Sequence, residues 1–132
     1  MGNKRVLVVD DEPELVELVQ MRLEANGYDV VTASDGPEGL EKARTMHPDL
    51  MILDLMLPQL NGYEVCTVLK QDTRFKRIPI VMFTAKTQAK DEQTARDCGA
   101  DAYLRKPFRP EEMLATIQTL LAVSGKPSKA TS

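Results

Sequence analysis

The chain has few of the residues that build disulfide frameworks or metal centres. It holds two cysteines and one histidine among 132 residues. Cys66 and Cys98 are far apart and match no disulfide framework, zinc site or redox motif, so we predict two reduced, buried thiols. A single imidazole makes a poor metal site, and His47 is therefore predicted to be an ordinary surface residue.

Long apolar runs and a strong excess of one charge are also missing. No run approaches the ~20 apolar residues of a membrane-spanning helix, and residues 1–14 lack the apolar core and cleavage site of a secretory signal. The net charge is −3, from 17 basic and 20 acidic residues, which excludes a strongly basic nucleic-acid binder. We predict a cytoplasmic protein that has no membrane contact and does not bind nucleic acid directly.

Short apolar runs alternate with segments of helical periodicity along the chain. The predicted strands are Arg5–Val9, Asp29–Ala33, Leu50–Leu53, Pro79–Phe83 and Ala102–Leu104, and the predicted helices begin near residues 13, 35, 62, 89 and 110. This alternation favours an α/β domain with a parallel sheet and helices on both faces. Residues 1–123 are assigned to the domain, and the polar residues 124–132 are predicted to be a flexible tail or a severed linker.

Polar side chains follow four of the predicted strands. In order along the chain, they are Asp10, Asp11, Glu12, Asp54, Thr84 and Lys106. Each has an ordinary interpretation when taken alone, such as a helix N-cap for Asp11 or a turn residue for Thr84. Ligands of open parallel sheets, however, bind beyond the carboxyl ends of the strands. We therefore predict one pocket in which carboxylates outnumber a single lysine.

Electrostatics limits what such a pocket can hold. Two like charges ~4 Å apart repel by about 4 kcal/mol at an effective dielectric constant of 20, so the carboxylates would retain a proton or take up a cation. An incomplete set of oxygen ligands suits Mg²⁺ (or Mn²⁺), which commonly shares a phosphate oxygen. A carboxylate beside a cation and an ammonium group can itself accept a phosphoryl group.

Several short motifs point to a known family. They are Asp10-Asp11 after VLVV, Asp54 after LMIL, Pro58 with Gly62, Thr84-Ala85, and Lys106-Pro107-Phe108. Over about residues 4–123, the sequence resembles the receiver domain of bacterial two-component response regulators, including the regulators of chemotaxis. The resemblance implies a flavodoxin-like, doubly wound fold, with five parallel strands in the order 2-1-3-4-5.

The resemblance also implies a role for each matching residue. Asp54 corresponds to the phosphoacceptor, with Lys106 and Thr84 as its catalytic partners. The implied metal ligands are Asp10, Asp11, Asp54 and the backbone carbonyl of Met56. Lys106 pairs with the phosphoryl oxygens and precedes a cis bond to Pro107, and Thr84 and Tyr103 correspond to the switch pair.

The predicted function is that of a phosphoacceptor in a phosphorelay. The donor would be a phosphohistidine on a sensor histidine kinase or a histidine phosphotransfer protein. The chain would catalyse only its own phosphorylation and dephosphorylation, so it is not predicted to be an enzyme. Phosphorylation would switch the face formed by the fourth helix, fifth strand and fifth helix, to which a downstream protein binds. A stand-alone regulator is favoured; the alternative is the input domain of a longer DNA-binding regulator or hybrid histidine kinase.

The sequence departs at two positions from the subfamily pattern, and two other functions are considered. The subfamily that dimerises through this face usually has Asp where Ala102 stands and Arg where Thr116 stands, so we predict a monomer or a weak dimer. A flavin-binding protein of flavodoxin type is the distant alternative, but the carboxylates after the first strand would repel its phosphate. A phosphohydrolase with an Asp nucleophile would need a second Asp where Met56 stands.

Overall fold

The structure, a computed structural model, describes residues 3–85, 93 and 96–124. The strands are β1 (Arg5–Val9), β2 (Asp29–Ala33), β3 (Leu50–Asp54), β4 (Ile80–Thr84) and β5 (Ala102–Arg105). The helices are α1 (Pro13–Ala25), α2 (Gly36–Met46), α3 (Gly62–Lys70) and a C-terminal helix (Pro110–Ser124). The predicted helix over 89–98 lies largely outside the described residues, and so does the predicted tail apart from Ser124.

All five strands are parallel and lie in the order β2-β1-β3-β4-β5, which confirms the predicted fold. The chain runs from β1 outward to β2 and then returns to the other side of β1 as β3. The carboxyl ends of β1 and β3 therefore meet where the strand order reverses, and a crevice forms at such a point. The register pairs Val9 with Leu53, so that the next residues, Asp10 and Asp54, follow on adjacent strands.

The sheet separates two apolar layers. In β1, Leu7 and Val9 contribute to the layer beneath α2 and α3, whereas Val6 and Val8 contribute to the layer beneath α1 and the C-terminal helix. Both faces of the central strands are covered, and every residue of β3 and β4 is buried. This is why these strands appear in the sequence as nearly continuous apolar runs.

Local signals in the sequence agree with the structure. Asp35, where the second helix was predicted to begin, caps α2: its Oδ1 accepts a hydrogen bond from the backbone N–H of Glu38 at 2.8 Å. Cys66 and Cys98 are buried free thiols, and His47 is exposed, as predicted. Within the described ranges, no helix is both long and apolar enough to cross a membrane.

The capping box at the start of α3 provides a test of local stability. Asn61 Oδ1 accepts from the Glu64 backbone N–H at 2.9 Å, and Glu64 Oε1 accepts from the Asn61 N–H at 3.0 Å. We expect Asn61→Ala to lower the free energy of unfolding by about 1 kcal/mol, measured by urea titration, because an N-cap acceptor is lost. Glu64→Ala removes the reciprocal bond, so the two losses should combine less than additively; full additivity would contradict a shared motif.

Candidate functional site

Three carboxylates converge at the carboxyl edge of the sheet. Asp10 follows β1, Asp54 ends β3, and Glu12 directly precedes α1; one oxygen from each lies within 4.8 Å of the others. Counted over the whole residue, Asp10 and Asp54 are only 2% and 4% exposed, whereas Glu12 faces solvent. The reversal of strand order brings two negative groups together inside the protein, where their repulsion is weakly screened.

Lys106 supplies the positive charge at this edge. Its backbone N–H donates to the carbonyl of Thr84 at 2.7 Å, which extends the pairing of β4 and β5 beyond the ends of the strands. Its Nζ donates to Asp10 Oδ2 at 2.9 Å, to Glu12 Oε1 at 2.9 Å and to Asp54 Oδ2 at 3.4 Å. The Lys106–Pro107 peptide bond is cis, as the resemblance implied.

Backbone hydrogen bonds fix the orientation of both buried carboxylates. Asp10 Oδ1 accepts from the Glu12 backbone N–H at 3.0 Å, and Asp54 Oδ1 accepts from the Met56 backbone N–H at 3.1 Å. In each carboxylate the second oxygen, Oδ2, contacts the lysine. The site is thus held in place before any ligand arrives, as efficient group transfer requires.

The pKa values of both central groups are raised, which favours the neutral form of the carboxyl group and the charged form of the lysine. Desolvation, together with the neighbouring Asp10 carboxylate, raises the pKa of Asp54 to about 6. Burial by itself would lower the pKa of Lys106, but the hydrogen bonds from its ammonium group to Glu12 and Asp10 raise it above the ordinary value. The lysine therefore stays charged, and one ammonium group does not fully neutralise three carboxylates.

The donor set fits a hard divalent cation. Three carboxylate oxygens within 4.8 Å of one another match the all-oxygen preference of Mg²⁺. Burial and, after it, the neighbouring Asp10 carboxylate raise the pKa of Asp54, and a cation would offset both the lost solvation and the repulsion. The residues therefore suit a metal ion better than they suit a simple buried ion pair.

The structure places the other predicted residues around this cluster. Asp11 is exposed and lines the adjoining groove, while Met56 is held beside Asp54 through its backbone N–H. Thr84 is fully buried at the end of β4, and Tyr103 is partly buried on β5. The metal-binding roles of Asp11 and the Met56 carbonyl, and the switch roles of Thr84 and Tyr103, remain predictions.

Glu12 was named with the polar residues after the first strand, but the sequence prediction gave it no role in the site. It stands beside the Asp10-Asp11 pair, but a residue just before a helix is ordinarily interpreted as a cap. Its side chain makes no cap hydrogen bond and instead reaches Lys106 at 2.9 Å. The only signal in the sequence was its position beside two acidic residues, since Lys106 lies 94 residues away.

A groove of about 750 Å³ leads from solvent to this site. It runs between α1 and the segment after β5, and both Asp54 and Lys106 line it. Its apolar walls include Leu15, Leu18 and Phe108, and Leu18 is 51% exposed. The groove gives a reacting group direct access to an otherwise buried carboxylate.

Comparison with known proteins identifies the family. The family model described as the response regulator receiver domain matches residues 6–118. The chain belongs to this family. It is 50% identical over 119 residues to the alkaline phosphatase synthesis transcriptional regulatory protein PhoP of Bacillus subtilis, covering 90% of this chain and 49% of that protein. The receiver domain thus spans about half the length of this relative.

Solved structures support the same assignment. A putative response regulator from Chloroflexus aurantiacus superposes with a TM-score of 0.88 at 33% identity, over 92% of this chain and 99% of that one. The receiver domain of the sensor histidine kinase PA1611 from Pseudomonas aeruginosa superposes with a TM-score of 0.85 at 26% identity, over 92% and 99% of the two chains. That second structure holds a magnesium ion in its active site cleft. As a receiver domain, the chain belongs to two-component signalling.

Proposed function

We propose that Asp54 accepts a phosphoryl group from a phosphohistidine on a partner kinase or phosphotransfer protein. The observation that carries this proposal is the setting of the Asp54 carboxylate. It is nearly buried, one oxygen is fixed by the Met56 N–H at 3.1 Å, and the other contacts Lys106 at 3.4 Å. The groove reaches this carboxylate from solvent. A held nucleophile beside a fixed cation is the arrangement that phosphoryl transfer needs.

The transfer follows from this arrangement. A carboxylate oxygen of Asp54 attacks the phosphorus, the bond from phosphorus to the imidazole nitrogen breaks, and an aspartyl phosphate forms. Lys106, held beside Asp54 by its contact with the buried Asp10, offers its ammonium group to the oxygens of the transferring group. Because this positive charge is already present in the site, it can stabilise the charge that develops in the transition state.

Mg²⁺ is the proposed cofactor, with Mn²⁺ as a substitute. Asp10 and Asp54 would hold it, together with the predicted ligands Asp11 and the Met56 carbonyl, and Glu12 has an oxygen within the same cluster. When bound, the ion would neutralise negative charge on the phosphoryl oxygens. Without it, an incoming phosphodonor would meet three carboxylates and one lysine.

The donor histidine belongs to another molecule in this proposal. His47, the chain's one histidine, is the C-cap residue of α2. His47 precedes β3, whereas Asp54 ends that strand. The imidazole and the phosphoacceptor therefore lie at opposite ends of the strand. A partner that presents phosphohistidine through the groove is therefore required.

The proposed output is a change at the face that includes β5 and the C-terminal helix. The backbone N–H of Lys106 donates to the Thr84 carbonyl at 2.7 Å. This hydrogen bond connects the site to the end of β5, which is part of this face. Thr84 and Tyr103 would switch there when the phosphoryl group arrives, and a downstream protein would read the change. The chain would catalyse only its own phosphorylation and dephosphorylation, as a cytoplasmic monomer or weak dimer.

A second candidate has an observation in its favour. The Bacillus subtilis relative is a transcriptional regulatory protein, and this chain covers 49% of it. In this second proposal, the receiver domain is the input half of a longer regulator of that kind, and any nucleic-acid contact is made by the other half. The reading frame beyond Ser132 distinguishes this arrangement from a stand-alone regulator.

Phosphorylation by a small donor tests the proposed function directly. We expect the protein, incubated with acetyl phosphate and Mg²⁺, to gain the mass of one phosphoryl group by intact mass spectrometry. The same incubation with EDTA should leave the mass unchanged, because the carboxylates then repel the anionic donor. A protein that stays unmodified in the presence of Mg²⁺, while its fold is intact by circular dichroism, would contradict the proposal.

A further inference from the structure

The ammonium group of Lys106 lies closer to two neighbouring carboxylates than to the proposed phosphoacceptor. It lies 2.9 Å from Glu12 and 2.9 Å from Asp10, but 3.4 Å from Asp54, the proposed phosphoacceptor. Lysine has three N–H donors, and each contacts one carboxylate here. In this state the group that would stabilise the transferring phosphoryl is held more closely by its neighbours.

Glu12 combines an exposed side chain with an anchored backbone. Its side chain is 61% exposed, against 1% for Asp10 and 6% for Asp54. Its backbone is nevertheless anchored, since its N–H donates to Asp10 Oδ1 at 3.0 Å and its carbonyl accepts from the Val16 N–H at 3.0 Å. The carboxylate can therefore swing toward solvent while its backbone stays in place.

The geometry points to Glu12 as a positioning residue that holds Lys106 on the solvent side of the site and releases it when the phosphoryl group arrives. This inference rests on the proposed function of Asp54. The phosphoryl group brings new acceptor oxygens to Asp54, where the ammonium now makes only its longest contact, at 3.4 Å. An ammonium that turns toward these oxygens gives up one of its two 2.9 Å contacts. The contact with Glu12 is the one most easily given up, because exposed ion pairs are worth little.

Removing this contact should make phosphorylation easier. With Glu12→Gln, we expect the initial rate of phosphoryl uptake from subsaturating acetyl phosphate, at saturating Mg²⁺, to rise about two- to fivefold, the range that corresponds to loss of an exposed ion pair. If Glu12 instead served mainly as a metal ligand, its substitution would lower the rate and raise the Mg²⁺ concentration required. An unchanged or lower rate would overturn the inference.

Two further variants separate the contact from its charge. Glu14→Gln removes the same charge two residues away, on the exposed first turn of α1, and should leave the rate near that of the unmodified sequence. Glu12→Asp keeps the charge but shortens the side chain, so it should behave like Glu12→Gln. If Glu12→Asp matches the unmodified sequence, or Glu14→Gln matches Glu12→Gln, the effect comes from charge alone and the contact has no positioning role.

A measurement on the unphosphorylated protein distinguishes failure of this inference from failure of the proposed function. The free energy of unfolding is measured by urea titration in EDTA for Glu12→Gln, Lys106→Gln and the double variant. Because the two side chains contact each other, the changes caused by the single substitutions should not add up to the change in the double variant. Coupling without any uptake by the unmodified protein would overturn both the proposed function and the release step. Uptake without coupling would overturn only the role of Glu12.

Discussion

Replacing Asp54 by asparagine should abolish phosphoryl uptake from acetyl phosphate. The amide keeps the size of the side chain but has no anionic oxygen to attack phosphorus, so we expect the loss of the whole mass gain rather than a slower reaction. Intact mass spectrometry measures it, with Mg²⁺ present throughout. A phosphoryl group retained at undiminished level in Asp54→Asn would show that another residue is the acceptor.

The loss is informative only if the variant folds, and the electrostatics of the site predicts that it folds better. The pKa of Asp54 is raised to about 6, so the folded protein binds this proton more tightly than the unfolded chain does. Stability from this group is therefore present at low pH and lost as pH rises from about 4 to about 6. Without metal, Asp54→Asn should stabilise the fold by about 2–3 kcal/mol above pH 7, and by much less at pH 4.

Asp49→Asn supplies a matched control. Asp49 and Asp54 stand at opposite ends of the same strand region, and Asp49 Oδ2 accepts a hydrogen bond from the Arg5 backbone N–H at 2.8 Å. Asparagine can accept this bond through its own oxygen. We expect Asp49→Asn to take up one phosphoryl group as the unmodified protein does, and a loss of uptake there would mean that the assay reports general damage.

The architecture was predictable because its signals are local and repeated. Strands buried on both faces give apolar runs such as residues 5–9, and proline and capping residues mark the helix starts at Pro13 and Asp35. The order of the strands is not a local property, and the prediction took it from the family resemblance. It was confirmed, although periodicity alone could not have chosen it from other parallel arrangements.

The sequence predicted which residue types form the site better than it predicted which of them contact one another. Acidic groups after β1 and β3 and a lysine after β5 were expected to converge, and Asp10, Asp54 and Lys106 do so. Which neighbour of Asp10 reaches the lysine depends on how the chain turns into α1. That turn directs Glu12 to Lys106 and leaves Asp11 exposed beside the groove, and no spacing rule in the sequence determines this choice.

Gly62 was noted in the sequence only as part of a motif, and the structure supplies the physical reason for it. A Cβ built at this position would lie 2.1 Å from the backbone oxygen of Asp54 and 3.0 Å from the Cα of Leu55. The Gly62 N–H also donates to the Leu55 carbonyl at 3.1 Å. The start of α3 thus packs directly against the backbone of the phosphoacceptor, where no side chain fits.

Gly62→Ala should therefore lower the free energy of unfolding by about 3 kcal/mol or more, because a clash with backbone cannot be relieved by rotating a side chain. Gly39→Ala is the control: its added Cβ would meet only the Val9 side chain, at 3.0 Å, and alanine is favoured within a helix. We expect Gly39→Ala to stay within about 1 kcal/mol of the unmodified protein and to keep normal phosphoryl uptake.

Relief of the clash at Gly62 must move either the start of α3 or the backbone that carries Asp54. Uptake by folded Gly62→Ala, measured at a temperature where the variant remains native by circular dichroism, should consequently fall at least tenfold, since displacements of about 1 Å cost far more than that in positioned reactions. Equal losses of stability in Gly62→Ala and Gly39→Ala would refute the steric argument. A destabilised Gly62→Ala with normal uptake would show that α3 moves and that the phosphoacceptor keeps its place.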